Sequence, residues 1–494
     1  MTIIENIKAL ITNTESLKAR TLKGGLWLGA GGAIEQALRL VRNMILTRIL
    51  VPEVFGLMAI ILAVNAALES FTQIGIKEAI IQNPDAEDEA YLNGAWWLSI
   101  GRSIGLFILG VVGSMWIVDF YHIQQNLVIL QLSFLVILFN GALSARAYIA
   151  LKKMEYRKWV FIYSGGGIIG IAVSIILSFI FHNVMALVIG FIVEAGARCV
   201  ISFIMCPFIP RFRFKEEHLK ALFAFARGMF GLPILYFVYA QAAVFVMGKL
   251  ITQGEIGQYS MAYSLAQAPA MLMSNMMNQI LMPAFSSRQD DKAWLNQNLF
   301  KATKILVFVG IPACFFATLY AHDILSIIYG HQYSGMSIPF AILFSTAFMT
   351  TASIPLVNVY LSVGQPHLHR LFTGIRSVII IIIIYPAIKW FSLTGAASAV
   401  FISTVVSYFF QVTKMRKLTD LDTLKYGRIF VQGAGLALIV IVIWLFTPNI
   451  FGQNPINNLI FGTMGCGLMY GMLIILYFKL NNVLKYIKKE ASLQ

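Results

Sequence analysis

The sequence predicts an all-α polytopic membrane protein, with about fourteen transmembrane helices in two pseudo-symmetric six-helix lobes plus two extra C-terminal helices. Three observations carry that prediction. The chain of 494 residues is 59% hydrophobic and only 12% charged, whereas soluble chains are about half apolar and roughly a quarter charged. Apolar stretches long enough to cross a hydrocarbon core of about 30 Å recur along the whole chain. The basic residues gather on alternate links between those stretches, which is the positive-inside pattern of short loops.

In chain order, residues 1–23 come first. Ile3, Ile7, Leu10, Ile11, Thr14 and Leu17 share one face while Glu5, Lys8 and Lys18 lie elsewhere. That suits a short helix lying on the membrane surface, and no cleavable signal peptide is expected there. Six apolar stretches then follow at 24–46, 54–75, 93–118, 125–149, 159–180 and 184–208, giving an N-lobe over 24–210. Six more at 221–248, 260–284, 303–329, 336–361, 371–390 and 394–412 give a C-lobe over 211–428. The last two, 429–447 and 457–478, belong with the tail to 429–494. Pro233, Pro269, Pro312, Pro355 and Pro386 fall inside these stretches, where neighbouring helices re-satisfy the freed backbone groups. The unbroken run Ile379–Ile384 has no inside-outside alternation and argues against a barrel.

A net charge of +15 invites a nucleic-acid reading, but its placement excludes one. With the N-terminus in the cytoplasm, the outward links hold only Arg48, Lys249 and Lys389. The clusters Lys152, Lys153, Arg157, Lys158; Arg211, Arg213, Lys215; and Lys414, Arg416, Lys417 all fall on inward links. They read as topology signals and lipid-headgroup contacts, with both termini inside. Asp85, Glu87, Asp88 and Glu89 read as a solvated cytoplasmic loop. Cys199, Cys206, Cys314 and Cys466 lie in apolar segments without metal spacing, so packing is expected and neither disulfide nor metal. No Walker A loop is present, outward loops are short, and no cofactor or catalytic residue is expected.

The chain also looks duplicated. A shift of 201 residues lays TRILVPEVFG (47–56) on GKLITQGEIG (248–257), matching Arg48 with Lys249 and Gly56 with Gly257. Each block ends the first helix of its half. Internal repeats of this kind are common in transporters whose substrate path runs between the two halves.

The run ILTRILVPEVFGLMAIILAV, the block QIGIKEAIIQ at 73–82 and the block EIGQYSMAYSLAQAPAMLMSNMMNQILMPAFS at 255–286 resemble the polysaccharide/O-antigen repeat-unit flippase family. The second-lobe block includes Tyr259, Ala262, Pro269 and Pro283, and Val51 stands where that family usually carries Gly. The family belongs to the multidrug/oligosaccharidyl-lipid/polysaccharide superfamily of alternating-access transporters. The resemblance implies a MATE-like fold in a bacterial inner membrane and an undecaprenyl-pyrophosphate-linked oligosaccharide as cargo. It also implies membrane lipids, and other polysaccharide assembly proteins, as partners. A lipid II flippase shares that architecture. A drug/cation antiporter and a membrane-embedded glycosyltransferase or polymerase are the readings from other classes.

The interior charges point the same way. Charges within spans are costly and usually face a cavity or a partner. Glu35, Arg39 and Arg42 share one face of the first stretch; Glu69 lies in the second, Arg102 in the third, Arg146 in the fourth and Glu194 with Arg198 in the sixth. Arg227 falls in the seventh and Arg376 in the eleventh. The excess is positive, which suits a pyrophosphate, whose oxygens match the guanidinium fork. A cationic drug would call for an acidic cavity instead. Arg39, Arg42 and Arg198 rank first as substrate-binding residues, then Arg102, Arg376 and Arg227. Glu35, Glu69 and Glu194 are the candidates for ion coupling. Against this, Glu35–Arg39 and Glu194–Arg198 are i,i+4 pairs that can neutralise each other. Arg102 can pair with Glu69, and Arg146 and Arg227 lie close enough to the surface to snorkel.

Overall fold

The computed structural model describes residues 17–71, 75–213, 215–229, 231–451 and 456–468. These form helices and the links between them, without a strand. The first half comprises α1 (Leu17–Ile49), α2 (Pro52–Phe71), α3 (Ile76–Gln82), α4 (Glu89–Tyr121), α5 (Leu127–Ser133), α6 (Leu135–Gly141), α7 (Arg146–Lys152), α8 (Tyr156–Phe181) and α9 (Val184–Met205). Then come α10 (Glu216–Met229), α11 (Leu232–Leu250), α12 (Gln253–Ser286), α13 (Lys292–Leu319), α14 (Ala321–Ile328), α15 (Ser337–Ala352), α16 (Ile354–Ser362), α17 (Pro366–Thr419) and α18 (Thr423–Phe451). Residues 456–468 are helical as well. The surface face predicted from Ile3 to Thr14 lies outside the described residues, and residues 17–23 continue into α1 without a break.

Ten helices among the described residues are long and apolar enough to cross a membrane. The 54-residue α17 is two helices merged across a kink, where Ser392 takes a φ of 50°. α1 and α12, at 33 and 34 residues, are long but carry the polar faces that build the site described below.

Four stretches that read as continuous are broken. The ninth breaks at Tyr320, between α13 and α14. The fourth becomes α5, α6 and α7, interrupted around Ser144. There the Ser144 N–H donates to Ser202 Oγ and its hydroxyl donates to the Cys206 carbonyl, so side-chain bonds replace the helical ladder. The tenth divides at Ser353, just before Pro355. The seventh does not begin at residue 221: α10 is a separate amphipathic helix, and the membrane helix α11 begins only after Gly231, whose φ is 103°. Arg227 therefore belongs to α10 rather than to the seventh span.

In the first half α8 and α9 pair closely, α1 lies along α8, and α4 packs on α6. In the second half α11 and α15 pack on α17, and α13 on α18. The halves meet where α2 runs along α12, flanked by α1 on α12 and α11 on α2. One buried cluster spans the seam, joining Leu46, Phe55 and Ile61 to Met247, Tyr259 and Leu343.

The seam carries the duplication. A Cβ built on Gly56 would lie 1.8 Å from the Gln253 carbonyl oxygen, and one on Gly257 would lie 1.9 Å from that of Pro52. The shift of 201 residues turns the first contact into the second. Arg48 and Lys249 are equally reciprocal. Arg48 Nη2 donates to the Ile327 carbonyl at 2.8 Å, and Lys249 Nζ donates to the Phe120 carbonyl at 3.1 Å. Each cation ends the first helix of its own half and caps a helix C-terminus in the other, where the helix dipole favours positive charge. A capping box between Thr252 and Glu255 fixes the start of α12 beside this contact.

The acidic link before α4 is solvent-exposed, as expected, and three of its carboxylates also take basic partners. Glu87 pairs with Lys153 at 2.8 Å, Glu89 with Arg146 at 3.2 Å and Asp88 with Lys215 at 2.9 Å. The basic residues nearby are thus partly spent on protein rather than on lipid. The Lys215 ammonium, helped by the Ala90 N–H, holds the Asp88 carboxyl below the usual carboxylate range. These pairs are exposed, so they contribute little stability individually; together they tie three links into one clasp.

Candidate functional site

Between α1 and α12, at the seam, lies a cavity of about 580 Å³, within the size range of ligand clefts. α1 lines it with Glu35, Arg39, Arg42 and Asn43; α12 lines it with Tyr263, Ser264 and Gln267. Towards the α1–α2 turn the passage is closed by the Gly56–Gly257 contact.

The side of α1 facing α9 holds a four-charge network. Glu35 Oε1 accepts from Arg39 Nη2 at 2.9 Å, and Glu194 Oε1 accepts from Arg39 Nη2 and Arg198 Nη2, both at 2.6 Å. Arg198 also lies 3.6 Å from Glu35 and sits over the Tyr163 ring. The glycines of α8 make this possible. A Cβ on Gly166 would lie 2.3 Å from Arg198 Cγ, and one on Gly170 would lie 2.4 Å from Glu194 Cβ. Without those glycines α9 could not approach α8, and Glu194 could not reach across to Arg39.

Two carboxylates and two guanidinia neutralise one another here. Glu194 is 7% exposed as a side chain, so removing one cation would leave a buried charge, which costs about 3–5 kcal/mol. Arg39→Ala is therefore expected to lower protein abundance in the membrane. The double variant Arg39→Ala with Glu194→Gln should recover much of it, since the stranded charge is gone. Immunoblots of membrane fractions check this; equal loss in the single and double variants would refute the network's role.

Arg42 lies outside the network. Its Nε and Nη2 donate to Asn43 Oδ1 at 3.2 and 3.0 Å, and Asn43 Nδ2 donates onward to Ser264 Oγ on α12 at 3.4 Å. Among the described residues no carboxylate lies within 4.0 Å of Arg42, and its Nη1 makes no hydrogen bond. The cavity wall thus carries one net positive charge next to hydroxyl and amide groups. That combination can grip an anion and hydrogen-bond polar groups attached to it.

The other predicted residues lie apart. Arg102 donates to the Glu69 backbone carbonyl at 3.1 Å, while the Glu69 carboxylate accepts from Asn140 at 3.0 Å. Arg376 sits among hydroxyls: it donates to Tyr239, to Thr350 Oγ1 at 2.9 Å and to Thr404 Oγ1 at 2.7 Å. Arg146 donates to the Pro207 carbonyl at 3.0 Å. The side chain of Arg227 lies outside the described ones. Sequence reasoning missed Asn43 and the α12 side of the cavity. The run from Tyr263 to Gln267 sits in a helix too polar for a plain span, and that was the available signal.

Residues 45–338 match a family model described as "Polysaccharide biosynthesis protein". The chain is 24% identical over 405 residues to "Uncharacterized membrane protein in cps region" of Klebsiella pneumoniae, covering 80% of this chain and 83% of that one. It is 21% identical over 410 residues to "Lipopolysaccharide biosynthesis protein WzxC" of Escherichia coli K12, covering 80% and 82%. Among solved structures, "Lipid II flippase MurJ, inward closed conformation" superposes with a TM-score of 0.75 at 13% identity, covering 92% of this chain and 99% of that one. An inward-facing multidrug resistance MATE family transporter gives 0.54 at 15% identity, covering 85% and 99%. At these identities the superpositions establish a shared fold.

Proposed function

This chain belongs to the polysaccharide biosynthesis protein family, and from that premise we propose that it is a flippase for undecaprenyl-pyrophosphate-linked oligosaccharide. It moves the repeat unit from the cytoplasmic to the outer leaflet of the bacterial inner membrane for O-antigen, capsule or exopolysaccharide synthesis. The observation that carries this reading is Arg42: a guanidinium without a carboxylate partner among the described residues, on the wall of a cavity between two halves closed at one end. A pyrophosphate supplies the missing anion, and alternating access follows if the Gly56–Gly257 end opens while the other closes. A lipid II cargo would present the same group to Arg42. A cationic drug would be repelled by it.

The test is deletion in the native host followed by identification of the lipid-linked sugar that accumulates on the cytoplasmic face. An oligosaccharide repeat unit is expected. Accumulation of lipid II with normal polysaccharide would overturn the assignment in favour of the second cargo.

The orientation has fourteen crossings and both termini inside. In a cysteine-free background, a membrane-impermeant thiol reagent added outside should label Gln125→Cys and leave Lys153→Cys unlabelled. Both positions are exposed, so the reverse pattern would invert the topology.

A further inference from the structure

A second, separate site lies on the far flank of the C-terminal half. α17 and α18 are joined by the turn at 420–422 and then splay apart, because α18 packs on α13. The space between them is a groove of about 750 Å³. Its walls are Phe409 and Val412 on one side and Phe430 on the other, over a floor of Tyr408 and Tyr426. The floor polar groups are satisfied: the two tyrosine hydroxyls are 2.8 Å apart, and Tyr426 meets Thr303 at 3.2 Å. Gly427 lies at the rim, where a Cβ would meet nothing within 4 Å.

One end of this apolar groove is basic. Arg416 and Lys417 line it, both exposed, and neither forms an ion pair among the described residues. The acids of the adjoining turn are engaged elsewhere, Asp420 by Lys292 and Asp422 by Lys425, both at 3.3 Å. An apolar trough ending in two uncommitted cations is complementary to a lipid chain carrying a negative headgroup. We propose that the groove binds an anionic phospholipid of the bilayer, with its phosphate on Arg416 and Lys417 and a chain along Phe409, Val412 and Phe430. Basic pockets between membrane helices recognise anionic headgroups in this way. The groove shares no lining residue with the α1–α12 cavity, which favours a resident lipid over the transported one. The inference is independent of the cargo.

The full-length protein in nanodiscs, ejected into native mass spectrometry, reports retained lipid. The wild type should hold phosphatidylglycerol in preference to phosphatidylcholine. Arg416→Gln and Lys417→Gln should each weaken retention roughly fivefold. Gly427→Trp should abolish retention while leaving both cations in place, because the indole fills the trough. If Gly427→Trp misfolds, Gly427→Leu and the charge variants decide. Equal retention of the two phospholipids would overturn the proposal, as would unchanged retention when the groove is filled. Displacement of phosphatidylglycerol by a polyprenyl phosphate would also overturn it, assigning the groove to the carrier lipid instead.

Discussion

Replacing Arg42 with alanine is expected to cut export roughly ten- to a hundredfold while the protein still reaches the membrane in normal amount. The contrast with Arg39 is the reason. Arg39 sits between Glu35 and Glu194, so its loss strands negative charge and should be felt as instability. Arg42 has no such dependants: Asn43 Oδ1 is the acceptor it would abandon, and Asn43 keeps its bond to Ser264. What Arg42→Ala removes is the uncompensated positive charge of the cavity wall. Hydrogen bonds to charged groups contribute about 1.5–3 kcal/mol, which corresponds to a fall in transport of roughly ten- to a hundredfold. Arg42→Lys keeps the charge but loses the planar fork, so it should fall between alanine and wild type. Surface polysaccharide measured against membrane abundance separates the outcomes. Full export by Arg42→Ala at normal abundance would move the anion site to other residues.

The helices were readable because membrane spans advertise themselves through length and apolarity, and nearly every stretch is found as helix. The breaks were not readable in the same way. That at Ser144 depends on hydroxyl bonds to Ser202 and Cys206, residues about sixty positions away. The end of the seventh stretch towards Arg227 was misplaced because Phe223 and Phe225 extend its apolar run, whereas α10 ends at Met229 and α11 starts at Leu232, after Gly231 with its positive φ. The site shows the same division. Intramembrane charge picked out Glu35, Arg39, Arg42, Glu194 and Arg198, which the structure gathers along α1. Local spacing could show only i,i+4 pairs. It could not show that Glu194 reaches Arg39 across 155 positions of chain and so joins it to Arg198. The glycines at 165–167 and 170 were the overlooked clue, since close helix approach is what lets α9 deliver that carboxylate.

The duplicated turn makes the second large effect predictable. Gly56 and Gly257 occupy positions related by the 201-residue shift, and each abuts the carbonyl that the shift carries onto the other's. No side chain fits at either position without parting α2 from α12, since the opposing atoms are backbone and cannot rotate away. Gly56→Leu should therefore prevent the closed arrangement at this end of the cavity. Overpacking costs about 1–3 kcal/mol, and an equilibrium that must cross between two states during each cycle shifts by up to about a hundredfold. Export should fall below about a tenth of wild type, and Gly257→Leu should behave alike. Gly105→Leu is the control, because a Cβ there meets nothing within 4 Å. A structural readout accompanies the functional one. Ile256 is fully buried in the closed arrangement, so Ile256→Cys, protected in an otherwise cysteine-free protein, should become open to an impermeant reagent once Gly56→Leu is added. Wild-type export with Ile256→Cys still protected would show that the glycine contact is mere packing and that the halves separate somewhere else.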